Sequence, residues 1–451
     1  MGRLFGTDGV RGVANKELTP ELAFKIGKAG AYVLTDAEHS KPRILVGRDT
    51  RISGGILESA LVAGICSVGA ETVIAGVIPT PAIAYLVRSE GFDAGVMISA
   101  SHNPFEHNGI KYFSGSGYKL SDEIEERIEG IILDNSEEVS APVGADIGHI
   151  TYDDTLVDKY IDFAKSTCGA DLSGVKIAID CANGASSVTA EKALKGLGAE
   201  VAVIHNKPNG VNINDNCGST HMEDLMRFTR ESGADIGLAF DGDADRVLAV
   251  DENGEMIDGD KIMAIIALDM KENGKLPDNT VVATVMSNLG FFVMGKEHGL
   301  NIKRTKVGDR YVLEEMLKDN HLIGGEQSGH VILLEHNTTG DGLVTGIQLV
   351  SVVKKSGKKA SELASVMQVY PQVLINAKVK NELKNEENYM KFPEIREGIK
   401  KLEDEFKDSG RVLIRPSGTE PLVRVMIEGK DEELIEKRAR ELADLFEEKL
   451  N

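Results

Sequence analysis

Tryptophan is absent from these 451 residues, and aromatic residues make up only 5% of them. The four cysteines, Cys66, Cys168, Cys181 and Cys217, stand far apart with no CxxC pair and no neighbouring Cys/His ligand set. Neither a disulfide framework nor a zinc site is expected from them. Long apolar runs are missing too: stretches such as Ile262–Leu268 fall far short of the ~20 residues a membrane helix needs. Met1 leads into Gly2-Arg3-Leu4-Phe5-Gly6 without an apolar segment, so no secretory signal and a cytoplasmic protein are expected. Positive charge is in short supply, 51 basic against 72 acidic residues, a net charge of −21. That excess disfavours nucleic acid and anionic membranes as partners. It leaves a small anionic substrate open, because a site can gather arginines and lysines locally.

What is present is an ordinary globular balance, 41% hydrophobic and 27% charged, with 48 glycines that imply many tight turns or ligand-facing loops. The length suits three or four domains at ~100–150 residues each. A three-fold pattern runs along most of the chain: two apolar strands, then a third that ends in an unusual loop. In the first copy the strands are Arg43–Val46, Glu71–Ile74 and Gly95–Ile98, and the loop is Ser99-Ala100-Ser101-His102-Asn103-Pro104. The second has Lys176–Ile179, Glu200–Ile204 and Ile236–Phe240, followed by Asp241-Gly242-Asp243-Ala244-Asp245-Arg246. In the third, Thr280–Ala283, Leu300–Lys303 and His321–Ile323 lead to Gly324-Gly325-Glu326-Gln327-Ser328-Gly329-His330. Segments between them, for example Gly54–Val68 and Ser187–Leu197, carry small and apolar residues at helical spacing.

Strand–helix alternation predicts mixed, largely parallel sheets covered by helices, with ligands beyond the carboxyl ends of the strands. All three loops lie at such ends, which points to one shared cleft. The last stretch differs. Strands at Leu374–Val379, Arg411–Ile414 and Leu422–Ile427, with helices at Phe392–Phe406 and Lys430–Leu450, read as a small α+β domain. The expected fold is three similar α/β domains, residues 1–150, 151–255 and 256–368, plus an α+β domain, 369–451, around a central cleft.

Alternate aspartates at Asp241, Asp243 and Asp245 present three hard oxygen ligands to one side, which suits Mg²⁺. An EF-hand would need Gly where Arg246 stands, and its flanks would be helices. A dehalogenase-type Asp-x-Asp nucleophile would need a different continuation than Asp245-Arg246. Ser101 follows a buried-looking strand and is a plausible phosphoryl carrier; an N-cap or Asx/ST turn is the structural alternative. Arg415-Pro416-Ser417-Gly418-Thr419-Glu420-Pro421 with Arg424 makes a phosphate clamp, or else an ordinary hairpin turn. Glu326 and Ser328 can hydrogen-bond sugar hydroxyls and His330 could move protons, unless it is a satisfied structural histidine. Lys306-Val307-Gly308-Asp309-Arg310 reads as a further ligand loop or a solvated charge cluster, and Phe5-Gly6-Thr7-Asp8-Gly9-Val10-Arg11-Gly12 could bring Arg11 to the cleft.

Together, and in this order, these motifs resemble the α-D-phosphohexomutase superfamily over essentially the whole chain, closest to its glucosamine-phosphate branch. The resemblance implies that Ser101 is phosphorylated in the active enzyme and completes a Mg²⁺ site with Asp241, Asp243 and Asp245, one ion per subunit. It puts Arg246 beside the phosphoryl group in transfer. Glu326 and Ser328 match the sugar loop; Lys306, Gly308 and Asp309 join them in substrate binding. Arg415, Ser417, Gly418, Thr419 and Arg424 match the clamp on the non-reacting phosphate. Arg11, Lys111 and His330 match cleft residues of activation or proton transfer. Gln327 stands where mannose- and glucose-type relatives usually carry Met, a trend that favours the amino sugar, although Gln327 could simply cap its turn.

The implied reaction interconverts glucosamine 6-phosphate and glucosamine 1-phosphate through phosphoserine and a 1,6-bisphosphate, toward UDP-N-acetylglucosamine and cell-wall precursors. A hexosamine or hexose 1,6-bisphosphate would prime it. Small sugar phosphates are the expected partners, and the enzyme is expected as a monomer or homodimer. Rivals are the same chemistry on mannose or glucose phosphates and a catalytically silent sugar-phosphate sensor, which would have no need of a phosphoryl carrier.

Overall fold

The computed structural model describes residues 3–6, 8–34, 41–139, 141–407, 409–417 and 420–451. The chain divides into two compact units, residues 1–286 with 300–366, and residues 287–299 with 367–451. Among the described residues, no helix is long and apolar enough to cross a membrane.

Three sheets of the first unit repeat one parallel core. In the first, Ala94–Ile98 pairs parallel with Arg43–Arg48, and that with Glu71–Val77. Ile236–Phe240, Lys176–Asp180 and Glu200–Ile204 repeat the order in the second. Ile323–Gly325, Thr280–Thr284 and Asn301–Thr305 repeat it in the third. The strands Ala94–Ile98, Ile236–Phe240 and Thr280–Thr284 are buried at every residue. Continuous apolar runs suit strands covered on both faces, which is why alternation is missing from them.

The three-strand reading lacked a fourth, antiparallel member in each copy. His107–Ser114, Val247–Asp251 and Val331–Leu333 each return beside the third strand. Each unusual loop is therefore the turn of a hairpin at the carboxyl end of a parallel strand. Two other local expectations also shift. Ser187–Leu197 is broken at Thr189 (φ −122°) into a 3₁₀ turn, Ala185–Val188, and a helix, Ala190–Gly196. His321 lies before its strand, and its amide hydrogen-bonds Met316 O to close the preceding helix at 2.8 Å.

Helix Pro20–Leu34 packs on helix Gly54–Cys66 at very short range. A Cβ on Gly27 would lie 2.2 Å from Leu61 O, and one on Gly64 2.1 Å from Phe24 O. In the second unit, the antiparallel strands Gln372–Lys378, Leu422–Gly429 and Gly410–Pro416 form one sheet in that order. Helices Pro393–Phe406 and Glu432–Leu450 supply Ile395, Leu402, Ile435 and Phe446 to a core with Val423, Val425 and Ile427.

Candidate active site

Three hairpin loops of the first unit converge. Ser101, 1% exposed, donates its hydroxyl to Asp241 Oδ2 at 2.6 Å. The approach is close enough that a Cβ on Gly242 would fall 2.6 Å from Ser101 O, so only glycine fits there. His102 Nδ1 lies 3.4 Å from the same hydroxyl, and burial beside Arg246 and Arg11 pushes its pKa down to about 4.

Asp241, Asp243 and Asp245 are at most 5% exposed and offer carboxylate oxygens that all lie within 4.8 Å of one another. Asp243 Oδ1 and Asp245 Oδ1 are buried without a hydrogen-bond partner. Buried carboxylate oxygens without hydrogen bonds are costly unless a cation completes them. Three hard oxygen donors fit a divalent cation of the Mg²⁺ kind. Burial and the neighbouring Asp245 and Asp243 hold the Asp241 carboxyl well above its usual range, whereas His330, Lys111 and Arg246 outweigh burial at Asp245 and hold it low.

Cations surround this cluster. Lys111, on the strand His107–Ser114, is 2% exposed and reaches Asp243 Oδ2 at 3.0 Å and Asp8 Oδ2 at 2.9 Å. Burial works against its charge, but Asp243, Asp8 and Asp245 together raise its pKa, so it stands as a fixed ammonium. Arg246 donates its backbone N–H to Asp241 Oδ1 at 3.2 Å, and its buried guanidinium Nε, without a hydrogen-bond partner, lies 3.9 Å from Asp245 Oδ1. Arg11 pairs with Asp8, and its Nε is likewise unpaired. His330 is 2% exposed, with Nδ1 3.5 Å from Asp245 Oδ2 and Nε2 accepting the Gly340 amide at 3.1 Å.

The loops of Glu326 and Gly308 meet through a side chain and a backbone amide. Glu326 Oε1 accepts the Gly308 amide at 3.1 Å, and Asp309 pairs with Lys119 and lies 3.6 Å from His330 Nε2. Ser328 and Lys306 are exposed, the latter with its ammonium 5.8 Å from the Tyr311 ring. Gln327 spends its amide on Asp258 Oδ2 at 3.0 Å, and Asp258 caps the helix Gly259–Glu272. It therefore ties its turn to that helix.

In the second unit, Arg415 and Arg424 are opposite each other in the ladder of Gly410–Pro416 and Leu422–Gly429. Both guanidinium Nε atoms are buried and unpaired, and burial together with Arg424 lowers the Arg415 pKa. Two like charges facing each other are destabilising without an anion nearby, and Arg424 Nη2 lies 3.8 Å from Glu420 Oε2. Ser417, 3% exposed, accepts the Glu420 amide at 3.3 Å. Gly418 and Thr419 lie outside the described residues.

Three participants were not singled out from sequence. Asp8 binds Lys111, Lys119 and Arg11 together, and Lys119 bridges Asp8 and Asp309. Thr80 donates its hydroxyl to Asp243 Oδ2 at 2.6 Å. Asp8 stood in a quoted motif; Lys119 and Thr80 sit in unremarkable surroundings that carry no local signal. A second grouping, Asp180, His205 and Cys217, differs from the aspartate cluster because its carboxylate is satisfied. Ala182 N and Gly218 N donate to Asp180 at 2.8 and 3.0 Å, and His205 Nδ1 lies 2.9 Å away.

Comparison with known proteins is consistent along the chain. Four family models match, described as phosphoglucomutase/phosphomannomutase alpha/beta/alpha domain I at residues 2–139, domain II at 158–254, domain III at 258–370 and the C-terminal domain at 374–445. Phosphoglucosamine mutase of Acetivibrio thermocellus is 65% identical over 450 residues, and that of Clostridium novyi 61% over 451, each covering 100% of both chains. A phosphoglucomutase/phosphomannomutase family protein from Burkholderia thailandensis shares the fold with a TM-score of 0.81 at 23% identity, covering 99% of this chain and 98% of that one. Aspergillus fumigatus N-acetylphosphoglucosamine mutase, solved with GlcNAc-6P and magnesium, does so at 0.68 and 16%, covering 99% and 95%.

Proposed function

We propose, for a chain that belongs to the phosphoglucomutase/phosphomannomutase family through all four of its domains, the reaction of a phosphoglucosamine mutase. It is an isomerase that interconverts glucosamine 6-phosphate and glucosamine 1-phosphate. The observation that carries the mechanism is the Ser101 hydroxyl at 2.6 Å from Asp241, beside two buried aspartates with orphaned oxygens.

In this reading phospho-Ser101 gives its phosphoryl group to the free hydroxyl of the sugar monophosphate. The serine O–P bond breaks as the sugar O–P bond forms; the sugar oxygen gives up its proton and the serine oxygen regains one. The resulting 1,6-bisphosphate turns about and returns its other phosphoryl group to Ser101, so the two half-reactions are mirror images. A Mg²⁺ ion held by Asp241, Asp243, Asp245 and the serine oxygen would supply neutralisation of the phosphoryl charge. Arg246, whose Nε makes no hydrogen bond, is assigned to the oxygens of that group, and Arg11 assists it. Lys111 supplies fixed charge. His330 is the better candidate to hold a mobile proton, on Nδ1 against Asp245. Glu326, Ser328, Lys306, Gly308 and Asp309 are assigned to the sugar, and Arg415, Ser417, Gly418, Thr419 and Arg424 to the phosphate not in transfer.

A hexosamine or hexose 1,6-bisphosphate primes the serine, and the reading places the enzyme in the cytoplasm as a monomer or homodimer of the four domains 1–150, 151–255, 256–368 and 369–451. The test is a side-by-side steady-state assay with Mg²⁺ and bisphosphate on glucosamine, glucose and mannose phosphates. A glucosamine preference in kcat/KM of ~100-fold, about 2.7 kcal/mol in transition-state binding, is expected. Equal turnover of the other sugars would overturn the substrate and leave the chemistry. Ser101→Ala should bind sugar phosphate yet neither turn over nor take up phosphate; full activity in that variant would sink the mechanism.

A further inference from the structure

Ser101 has φ +51°, the left-handed region that a residue with a side chain adopts only when its surroundings compel it. Its backbone is held on both sides. The Ser101 carbonyl accepts from Arg51 Nη2 at 2.8 Å and from Asn214 Nδ2 at 2.9 Å. The same two donors hold the Asn103 carbonyl, at 2.8 and 3.1 Å. Arg51 also donates through Nη1 to the carbonyls of Pro104 and of His107, the latter at 3.0 Å. One guanidinium thus serves four carbonyls of the loop and its exit.

The amide side of Ser101 is fixed through the same device. Arg51 Nε binds Asp49 Oδ2 at 2.9 Å, an ion pair with both side chains wholly buried. Asp49 Oδ2 accepts the Ser99 hydroxyl at 2.6 Å, and Ser99 Oγ accepts the Ser101 N–H at 2.9 Å. The two holders come from different sheets. Arg51 lies on the loop after Arg43–Arg48 of the first; Asn214 lies after Glu200–Ile204 of the second, itself left-handed at φ +58° and anchored through its amide to Ala182 O at 2.9 Å.

We propose that Arg51 and Asn214 are positioning residues for phosphoryl transfer: they hold the Ser101 backbone in its left-handed state so that Oγ faces the aspartate cluster. This rests on the reading that Ser101 carries the phosphoryl group. A return of Ser101 to an ordinary backbone region would swing its Cα–Cβ bond and break the 2.6 Å contact with Asp241. Neither side chain reaches the sugar's loops, so their influence falls on the transfer step and spares sugar binding. Lysine is no substitute for Arg51, because a single ammonium lacks the planar fork that serves Asp49 and the carbonyls at once.

The experiment uses the full chain with Mg²⁺ and excess glucose 1,6-bisphosphate. Ser101 phosphorylation is followed in single turnover by intact mass and phosphopeptide, beside steady-state kcat and KM. Arg51→Lys keeps a charge beside Asp49; Asn214→Ala disturbs no ion pair and carries the test if the first does not fold. Both are expected to lose about 10- to 100-fold in the phosphorylation rate and in kcat, the scale of a misplaced reacting atom, with KM within about 3-fold of wild type. Gly27→Ala, which strains a helix contact elsewhere, serves as a control of lowered stability with kcat retained at 25 °C. Wild-type phosphorylation rates in the two variants, losses confined to KM, or an equal loss in the control would each overturn the proposal. If the wild-type chain itself takes up no phosphoryl group on Ser101, the phosphoserine reading fails and the proposal with it.

Discussion

The ring of His330 has a neighbour with no room to spare. A Cβ on Gly340 would stand 2.6 Å from three ring atoms of His330. Gly340→Ala must therefore shift the imidazole or the Gly340 backbone that donates to it, at a strain of about 1–3 kcal/mol. The expected result is a kcat reduced by an order of magnitude or more, while the circular dichroism spectrum is unchanged; a variant with wild-type kcat would remove His330 from the mechanism. At this scale the sequence was legible wherever a loop had unusual composition. Alternate aspartates, a serine before His-Asn-Pro and a Gly-rich acidic turn announce themselves. Arg51 did not, because Arg48-Asp49-Thr50-Arg51 is a short polar stretch with no unusual composition. Its complete burial depends on carbonyls some fifty residues away that only the folded sheet brings near. Gln327 shows the reverse: a residue suggestive of sugar preference is occupied by Asp258.

Elements carry their own constraints. The contact of Pro20–Leu34 with Gly54–Cys66 depends on two glycines, so Gly27→Ala and Gly64→Ala should each destabilise by about 1–3 kcal/mol through helix separation. Chemical denaturation checks this, and an unchanged midpoint in both would show that the helices part without cost. On helix Asp122–Asp134, burial raises the Glu125 carboxyl from 4.5 to about 7, Arg310 acting in the opposite direction. The folded state binds this proton more tightly than the unfolded chain. Its contribution is complete below the unfolded value of 4.5 and is lost as pH rises through about 7. Glu125→Gln, neutral throughout, should therefore melt above wild type at pH 8, with the gap closing toward pH 5; an equal gap at both would refute the burial. The parallel strands were readable as apolar runs, but their antiparallel returns were not. Val331–Leu333 is three residues long, and His107–Ser114 carries Lys111 inside a buried strand, so neither shows a clean period.

For the molecule as a whole, the division into two units gives calorimetry a simple task. Asp241, Asp243 and Asp245 all belong to the first unit. A Mg²⁺ concentration ~100 times its Kd should stabilise that unit by about 2.7 kcal/mol and leave the transition of the second in place. Asp243→Asn should abolish the shift; its persistence would move the ion elsewhere. Net charge of −21 makes the same point from another side, since an anionic substrate must be drawn in by local cations against the overall field.

The second unit is also spread over time. Its segment 287–299 is made long before its other part, 367–451, yet Leu289 N bonds Glu428 Oε1 and Gly290 fits only against Gln368 O. At a ribosomal pace of about 5–20 residues per second, that early stretch waits roughly four to thirty seconds for its partners. During that interval the nascent chain holds out a helix-forming segment with the buried-to-be side chains Phe291 and Met294. The second unit is thus completed only when its later part has been made, and a break near residue 451 would cost the early segment 287–299 its resting place.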